Sequence, residues 1–506
     1  MIEFFEKIVF RHRGASLLIF AAITVFMLFS ASRLRIDAGF MKLLPLKHEY
    51  MKTYLDHKHQ FSGGNRILIA LVAKKGDIFT EQFLAVLKGV TEEVFFMPGV
   101  ERSKVSSLFT PNVRYTELVE DGIRAGNVIP ADFKPTPEGL AGVRKNVLQS
   151  GVVGRLVAND FSGAIVSAGL LDVDPKTGKK LNYLKFSNDL EQKVREKFQS
   201  EEIDVHIIGF AKVIGDMAKG ASRVIVFFGI AFLITALMVY IYSMSFWRTA
   251  AVLCGATTAV VWQLGLLPIF GFGIDPMGIL VPFLVFAVAV SHAVQMVSAT
   301  GSELYCGATP LEAARVSFRR LLVPCITALA TDTIGFITIW LIPVRIIQEM
   351  ALTASIGIAV IIVVNGMLLP VLLSFAPASM AYCKRLQRKA DIFAPFWRFL
   401  SGAAAPKPAA VIVLVALGLT VFGAVKGAGV KIGDLQQGVP EFRPDSRYNR
   451  DTGVITDKFS IGVDAITVVA EAHAMGCIDY ETMRDLDRFA WQMQNVNGVL
   501  SVTCLP

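Results

Sequence analysis

Two ionisable side chains sit inside runs that are otherwise apolar: His292 in AVAVSHAVQ (287–295) and Asp332 in TALATDTIGF (327–336). A charged group in a bilayer costs on the order of 3 kcal/mol or more, and such residues usually mark ion pathways. Histidine titrates near neutral pH, and a carboxylate paired with it can trade a proton without leaving a lone buried charge. His292, Asp332 and the adjoining Ser291 are therefore candidates for a proton relay, and Gln263, Gln295, Thr331 and Thr333 for hydrogen bonds around it. The alternative is a neutral structural hydrogen bond between helices, worth about 0.6 kcal/mol on average. Asp275, beside Pro276, reads as a helix start, and Asn365 as a satisfied interhelical amide.

The elements that must carry these residues are membrane spans. The chain has 506 residues, 53% hydrophobic and 18% charged, with a mean hydropathy of +0.53. Soluble domains carry about a quarter charged residues, so the balance points away from a wholly soluble protein, and the same numbers exclude disorder, collagen-like structure and a disulfide-stapled miniprotein. A span needs about 20 mostly apolar residues. Seven segments qualify: 14–32, 224–242, 250–270, 277–299, 321–342, 350–375 and 409–425. The first is too long for a signal-peptide core and reads as an uncleaved anchor.

Charge orients them. Lys7, Arg11 and Arg13 precede the first span, and Arg248 lies between the second and third. Arg315, Arg319 and Arg320 lie between the fourth and fifth, and Lys384, Arg385, Arg388, Lys389, Arg398 and Lys407 between the sixth and seventh. All fall on one side if the N-terminus is cytoplasmic. The net charge of +8 is thus topological, with no basic stripe interleaved with aromatics to suggest nucleic acid. The segment 302–320 reads as an amphipathic helix on the cytoplasmic interface.

The opposite side receives two long polar stretches. The first, 36–222, reads as α/β, with strands at 67–72, 164–171 and 205–209 and helices at 81–96 and 181–200. Such units suggest a split βαβ, ferredoxin-like layer. His48, His57 and His59 scatter among lysines on a solvated face, and no metal site is expected. No P-loop, Rossmann glycine run or nucleophile motif occurs, so neither an enzyme nor a cofactor is expected. Cys254, Cys306, Cys325 and Cys383 should be reduced, whereas Cys477 and Cys504 form a possible disulfide on the outer side.

The chain also echoes itself. Arg35-Ile36-Asp37, Leu44-Pro45 and Phe61-Ser62-Gly63 are matched by Lys431-Ile432-Gly433-Asp434, Val439-Pro440 and Phe459-Ser460-Ile461-Gly462, at an offset of about 398 residues. A strand at 465–470 and a helix at 480–494 continue the second copy. Parallel repeats of this kind are a transporter signature. The organisation is then a first span within 1–35, an outer α/β domain over 36–222, a five-span bundle over 223–375 and a cytoplasmic linker over 376–408. A seventh span (409–425) and an incomplete second outer α/β domain (426–506) follow. On this reading the chain is truncated, or needs a missing second half or further copies of itself. Its strand at 465–470 would keep an unpaired edge.

One span, an outer α/β domain, five spans and a repeat resemble the resistance-nodulation-division superfamily. The motifs are similar to its MmpL-like, hydrophobe-exporting branch, which shares its bundle with sterol-sensing domains. They are Ile36-Asp37, Leu44-Pro45, Phe61-Ser62-Gly63-Gly64, Asn159-Asp160-Phe161-Ser162-Gly163, IIGF at 207–210 and the run 327–336. The resemblance implies a proton-driven secondary exporter of hydrophobic or amphiphilic, lipid-like molecules, in an inner membrane with its large domains periplasmic. It also puts Ser291 where the family usually carries its acidic residue, so that proton site does not transfer directly. Two other readings stay open: a non-transporting, lipid- or sterol-sensing-like binding protein, and an inactive remnant.

Overall fold

The computed structural model describes residues 2–35, 42, 45–57, 65–120, 122–171, 173, 178, 181–275, 277–378, 380–431, 438–439, 442–461, 466–473, 475–502 and 504. Among them are seven helices long and apolar enough to cross a membrane: Arg13–Ala31, Val224–Ser243, Phe246–Ile269, Gly278–Tyr305, Pro310–Ile339, Arg345–Phe375 and Pro406–Gly427. The chain divides into two compact units, residues 1–55 with 219–431 and residues 56–218 with 432–506.

The first unit is the helical bundle. Its third and sixth spans are the most buried. Small residues let the helices approach closely, as interfaces in lipid require. A Cβ on Gly265 of the third span would run into the Met27 backbone of the first, and one on Gly357 of the sixth into Val285 of the fourth. Beside the first of these contacts, Phe20 stacks on Trp262 at 5.4 Å, Trp262 Nε1 donates to Thr24 Oγ1 at 2.9 Å, and Ser30 Oγ donates to Gly265 O at 2.7 Å. The seventh span buries none of its residues.

The interfacial helix expected over 302–320 does not form. Val281–Tyr305 and Pro310–Ile339 each run on as long helices, and Thr309 with Glu312 makes a capping box that starts the second. The amphipathic element on this side is instead Ile2–Arg11, whose Val9 and Phe10 bury against Ala314, Phe318 and Leu322. Glu6 of that helix pairs with Arg319 at 3.4 Å.

The second unit is built on a four-stranded antiparallel sheet, β1 (Arg66–Ala73), β2 (Val100–Ser106), β5 (Gly163–Leu170) and β6 (Ile203–Gly209), in the order β2-β5-β1-β6. Glu81–Phe96 connects β1 to β2, and the helical stretch starting at Tyr183 connects β5 to β6. This is the split βαβ order the periodicity suggests. Between β2 and β5 the chain inserts a hairpin, β3 (Arg114–Val119) with β4 (Gly122–Asn127), and the helix Pro137–Gln149.

The described part of 442–461 folds onto this same unit, its Tyr448, Ile455 and Phe459 joining the sheet's core. Helix Arg447–Lys458 lies along β6, an edge strand whose free backbone groups it helps to satisfy. Asp451 Oδ2 accepts from Ile207 N (3.2 Å), Tyr448 Oη accepts from Gly209 N (3.1 Å), and Arg195 Nη1 donates to Val205 O (2.6 Å). No strand forms over 466–470, the described part of the one expected at 465–470. Helix Tyr480–Gln494 forms as expected. The repeat motifs at 36–37, 44, 61–64, 432–434, 440 and 462, with His59 and Pro276, lie outside the described residues.

Candidate functional site

His292 is half-buried in the fourth span, its Nδ1 3.1 Å from Val288 O one turn back on the same helix. It lines a small cavity of about 10 Å³ between the fourth, fifth and sixth spans, together with Met296, Cys325 and Asn365. Asn365 lies in a π-helical turn, Val364–Leu368, inside the sixth span. Such turns break the regular ladder and recur at functional sites. Its Nδ2 donates to Ala289 O at 2.9 Å, as expected of an interhelical amide, while its Oδ1 is buried without a partner among the described residues. Gln263 Oε1 is also buried and has no partner among the described residues.

Asp332 stands elsewhere. It is exposed on the outer side of the fifth span and makes no hydrogen bond or ion pair among the described residues. Thr331 beside it is exposed, with Oγ1 on Thr327 O at 2.8 Å; Thr333 is half-buried, with Oγ1 on Leu329 O at 2.7 Å. Ser291 and Gln295 are exposed on the fourth span. The polar side chain that shares a cavity with His292 is thus Asn365. In the sequence Asn365 carried a signal, an amide in an apolar run, without its direction.

At one end of the bundle Glu349 is buried between two cations, 2.5 Å from Lys42 Nζ and 3.0 Å from Arg345 Nε. Asp275 is buried too, and its Oδ1 accepts from Met277 N at 2.8 Å and Gly278 N at 2.7 Å, the helix-start role read from the sequence. Burial pushes its carboxyl above the usual carboxylate range, the nearby Glu349 charge adds to this, and the two backbone bonds oppose it. The sequence showed no sign of the Lys42–Glu349 pair, whose partners lie 307 positions apart. A lateral groove of about 300 Å³, lined by Thr24, Phe232, Cys254 and Thr258, opens between the first three spans.

Cys504 is a free thiol with Sγ 3.9 Å from Leu486 O, and the Cys477 side chain lies outside the described ones. His57 Nε2 is 3.3 Å from Glu471. Among the described residues no group of three or more His, Cys, Asp or Glu is placed to hold a metal.

No protein-family model matches the chain. It is 20% identical over 368 residues to MJ1562 of Methanocaldococcus jannaschii, a protein named as an inferred membrane protein; the match takes in 71% of this chain and 89% of that one. With seven helices long and apolar enough to cross a membrane among its described residues, the chain is a multi-pass membrane protein.

Proposed function

We propose that this chain is a proton-driven secondary exporter of hydrophobic or amphiphilic molecules, of the resistance-nodulation-division type. It would sit in an inner membrane with its N-terminus cytoplasmic and the unit around β1 periplasmic. It is not an enzyme and uses no cofactor on this reading. The observation that carries it is the polar equipment of an otherwise apolar bundle: His292 on one cavity with Asn365 Oδ1, which has no partner among the described residues, and the outward-facing Asp332. Polar groups left unsatisfied inside a membrane are costly and persist where something passes. The cavity suits one hydrogen-bonded water, a link in a proton path between His292 and Asn365. Asp332 then takes up protons where its face is covered by further helices, from a companion half or a second copy. The groove beside Thr24 is at the small end of ligand-pocket volumes and opens sideways, where a lipid-like cargo arrives.

A second reading, a lipid-responsive bundle that does not pump, is favoured by the His292 Nδ1 contact to its own helix and by the separate placement of Asp332. Reconstituted vesicles decide between them. A pH gradient should drive release of a fluorescent amphiphile, and a protonophore should abolish it. Ligand-dependent stabilisation with no gradient-driven flux contradicts the exporter and supports the sensor.

A further inference from the structure

Arg248 opens the third span, within its first turn, and is fully buried. Its Nη1 donates to Ser245 Oγ and to Pro377 O, both at 3.3 Å. Tyr382 covers the guanidinium, its ring centroid 4.0 Å from Cζ. Nε and Nη2, which share one edge of the group, are buried with no partner among the described residues. A buried cation without a counter-charge is an expensive arrangement.

The helix makes it more so. Its N-terminus is the positive end of the macrodipole, where an anion belongs and a cation does not. The N-cap, Ser245, bonds none of the first-turn N–H groups through its side chain, and those groups have no partner within the helix. One anion at this point would answer both the guanidinium edge and the open helix end.

The surroundings fix its depth. Tyr240, Tyr242, Phe246 and Trp247 are exposed on the two sides of the turn between the second and third spans, an aromatic belt of the kind that sits at headgroup level. Tyr382 belongs to the helix Met380–Gly402, which exposes Lys384, Arg385 and Arg388 and then Phe393, Phe396 and Trp397. A helix with basic residues followed by exposed aromatics lies on an anionic lipid surface.

We propose that Arg248 anchors a phosphate group, held in two parallel bonds by the Nε–Nη2 edge against the start of the third span. A phospholipid headgroup or free phosphate could supply it, while Tyr382 keeps its place over the face of the guanidinium. A guanidinium edge matches phosphate oxygens in a way a lysine cannot.

The full chain, purified in detergent and stripped of lipid, is titrated with phosphatidylglycerol, with diacylglycerol of the same acyl chains, and with inorganic phosphate, following thermal unfolding and bound lipid by native mass spectrometry. Phosphatidylglycerol should stabilise the wild type where diacylglycerol does not, and Arg248→Gln should weaken its binding by about tenfold or more. Stabilisation by inorganic phosphate alone, lost in Arg248→Gln, supports the site with solution as its source. Equal effects of the two lipids on the wild type, or undiminished binding by Arg248→Gln, overturn the proposal. Should Arg248→Gln fail to fold, Arg248→Lys keeps the charge without the two-nitrogen edge, and binding equal to wild type overturns it as well.

Discussion

An aspartate on the outer face of a membrane helix is tolerated in two ways, by carrying a proton or by being covered. Asp332 makes no bond among the described residues, so Asp332→Asn removes no partner's interaction there and should change the stability of the folded chain little, within about 0.5 kcal/mol in thermal melts. In membranes, dicyclohexylcarbodiimide, which modifies carboxyls in apolar surroundings, should label Asp332 and block cargo-stimulated proton flux; undiminished flux in the labelled chain contradicts a proton-binding role. Asp451 is the opposite case. It is buried, and meets Arg195 at 2.7 Å, His206 at 2.9 Å and Arg447 at 3.2 Å. Burial pushes its carboxyl up, but the His206 hydrogen bond and the Arg195 charge outweigh it and leave it below the usual carboxylate range. A depressed carboxyl contributes stability that is present above its unfolded pKa, near 4, and lost as pH falls through its lower folded value. Acid should therefore destabilise the wild type below about pH 4 more than it does Asp451→Ala. At neutral pH that variant should lose roughly 3–5 kcal/mol, since it removes the buried acceptor shared by Arg195, His206, Arg447 and the Ile207 N–H, and thermal melts across pH measure both effects.

At the scale of elements, close helix contacts and edge-strand cover decide what holds. Gly265→Leu and Gly357→Leu should each push apart a packed pair of spans and lower the melting temperature, because the Met27 backbone beside Gly265 and the Val285 and Gln263 side chains beside Gly357 leave no room for a side chain. Unchanged melting of both would contradict that packing. The helices 81–96 and 480–494 were legible because their signals are local: apolar spacing, and the caps Thr80 on Phe83 N and Asp479 on Thr482 N. The strand at 465–470 was misread because alternating Ile466 and Val468 make a strand only where an edge accepts them, and among the described residues none pairs there. The cover of β6 was illegible for a related reason, since Asp451 and Ile207 meet across 244 positions. In the bundle, sequence named His292, but which polar group shares its cavity depends on how each span is rotated. Packing sets that rotation, and it selects Asn365.

For the whole molecule, the charge distribution makes a testable statement about sides. Cys306 lies exposed at the turn between the fourth and fifth spans, and Ser103 is exposed on β2. With the other cysteines replaced by alanine, an impermeant maleimide should reach Ser103→Cys in intact cells and Cys306 only after permeabilisation; the reverse pattern would invert the proposed topology. The central claim is that proton movement is coupled to cargo movement through this bundle. Its most direct test is the proton flux itself, read with a pH-sensitive dye trapped in vesicles that contain the full chain. Cargo should stimulate proton flux in the wild type and fail to do so in Asp332→Asn. Cargo that moves no protons in the wild type, or the same flux in both, would contradict the account.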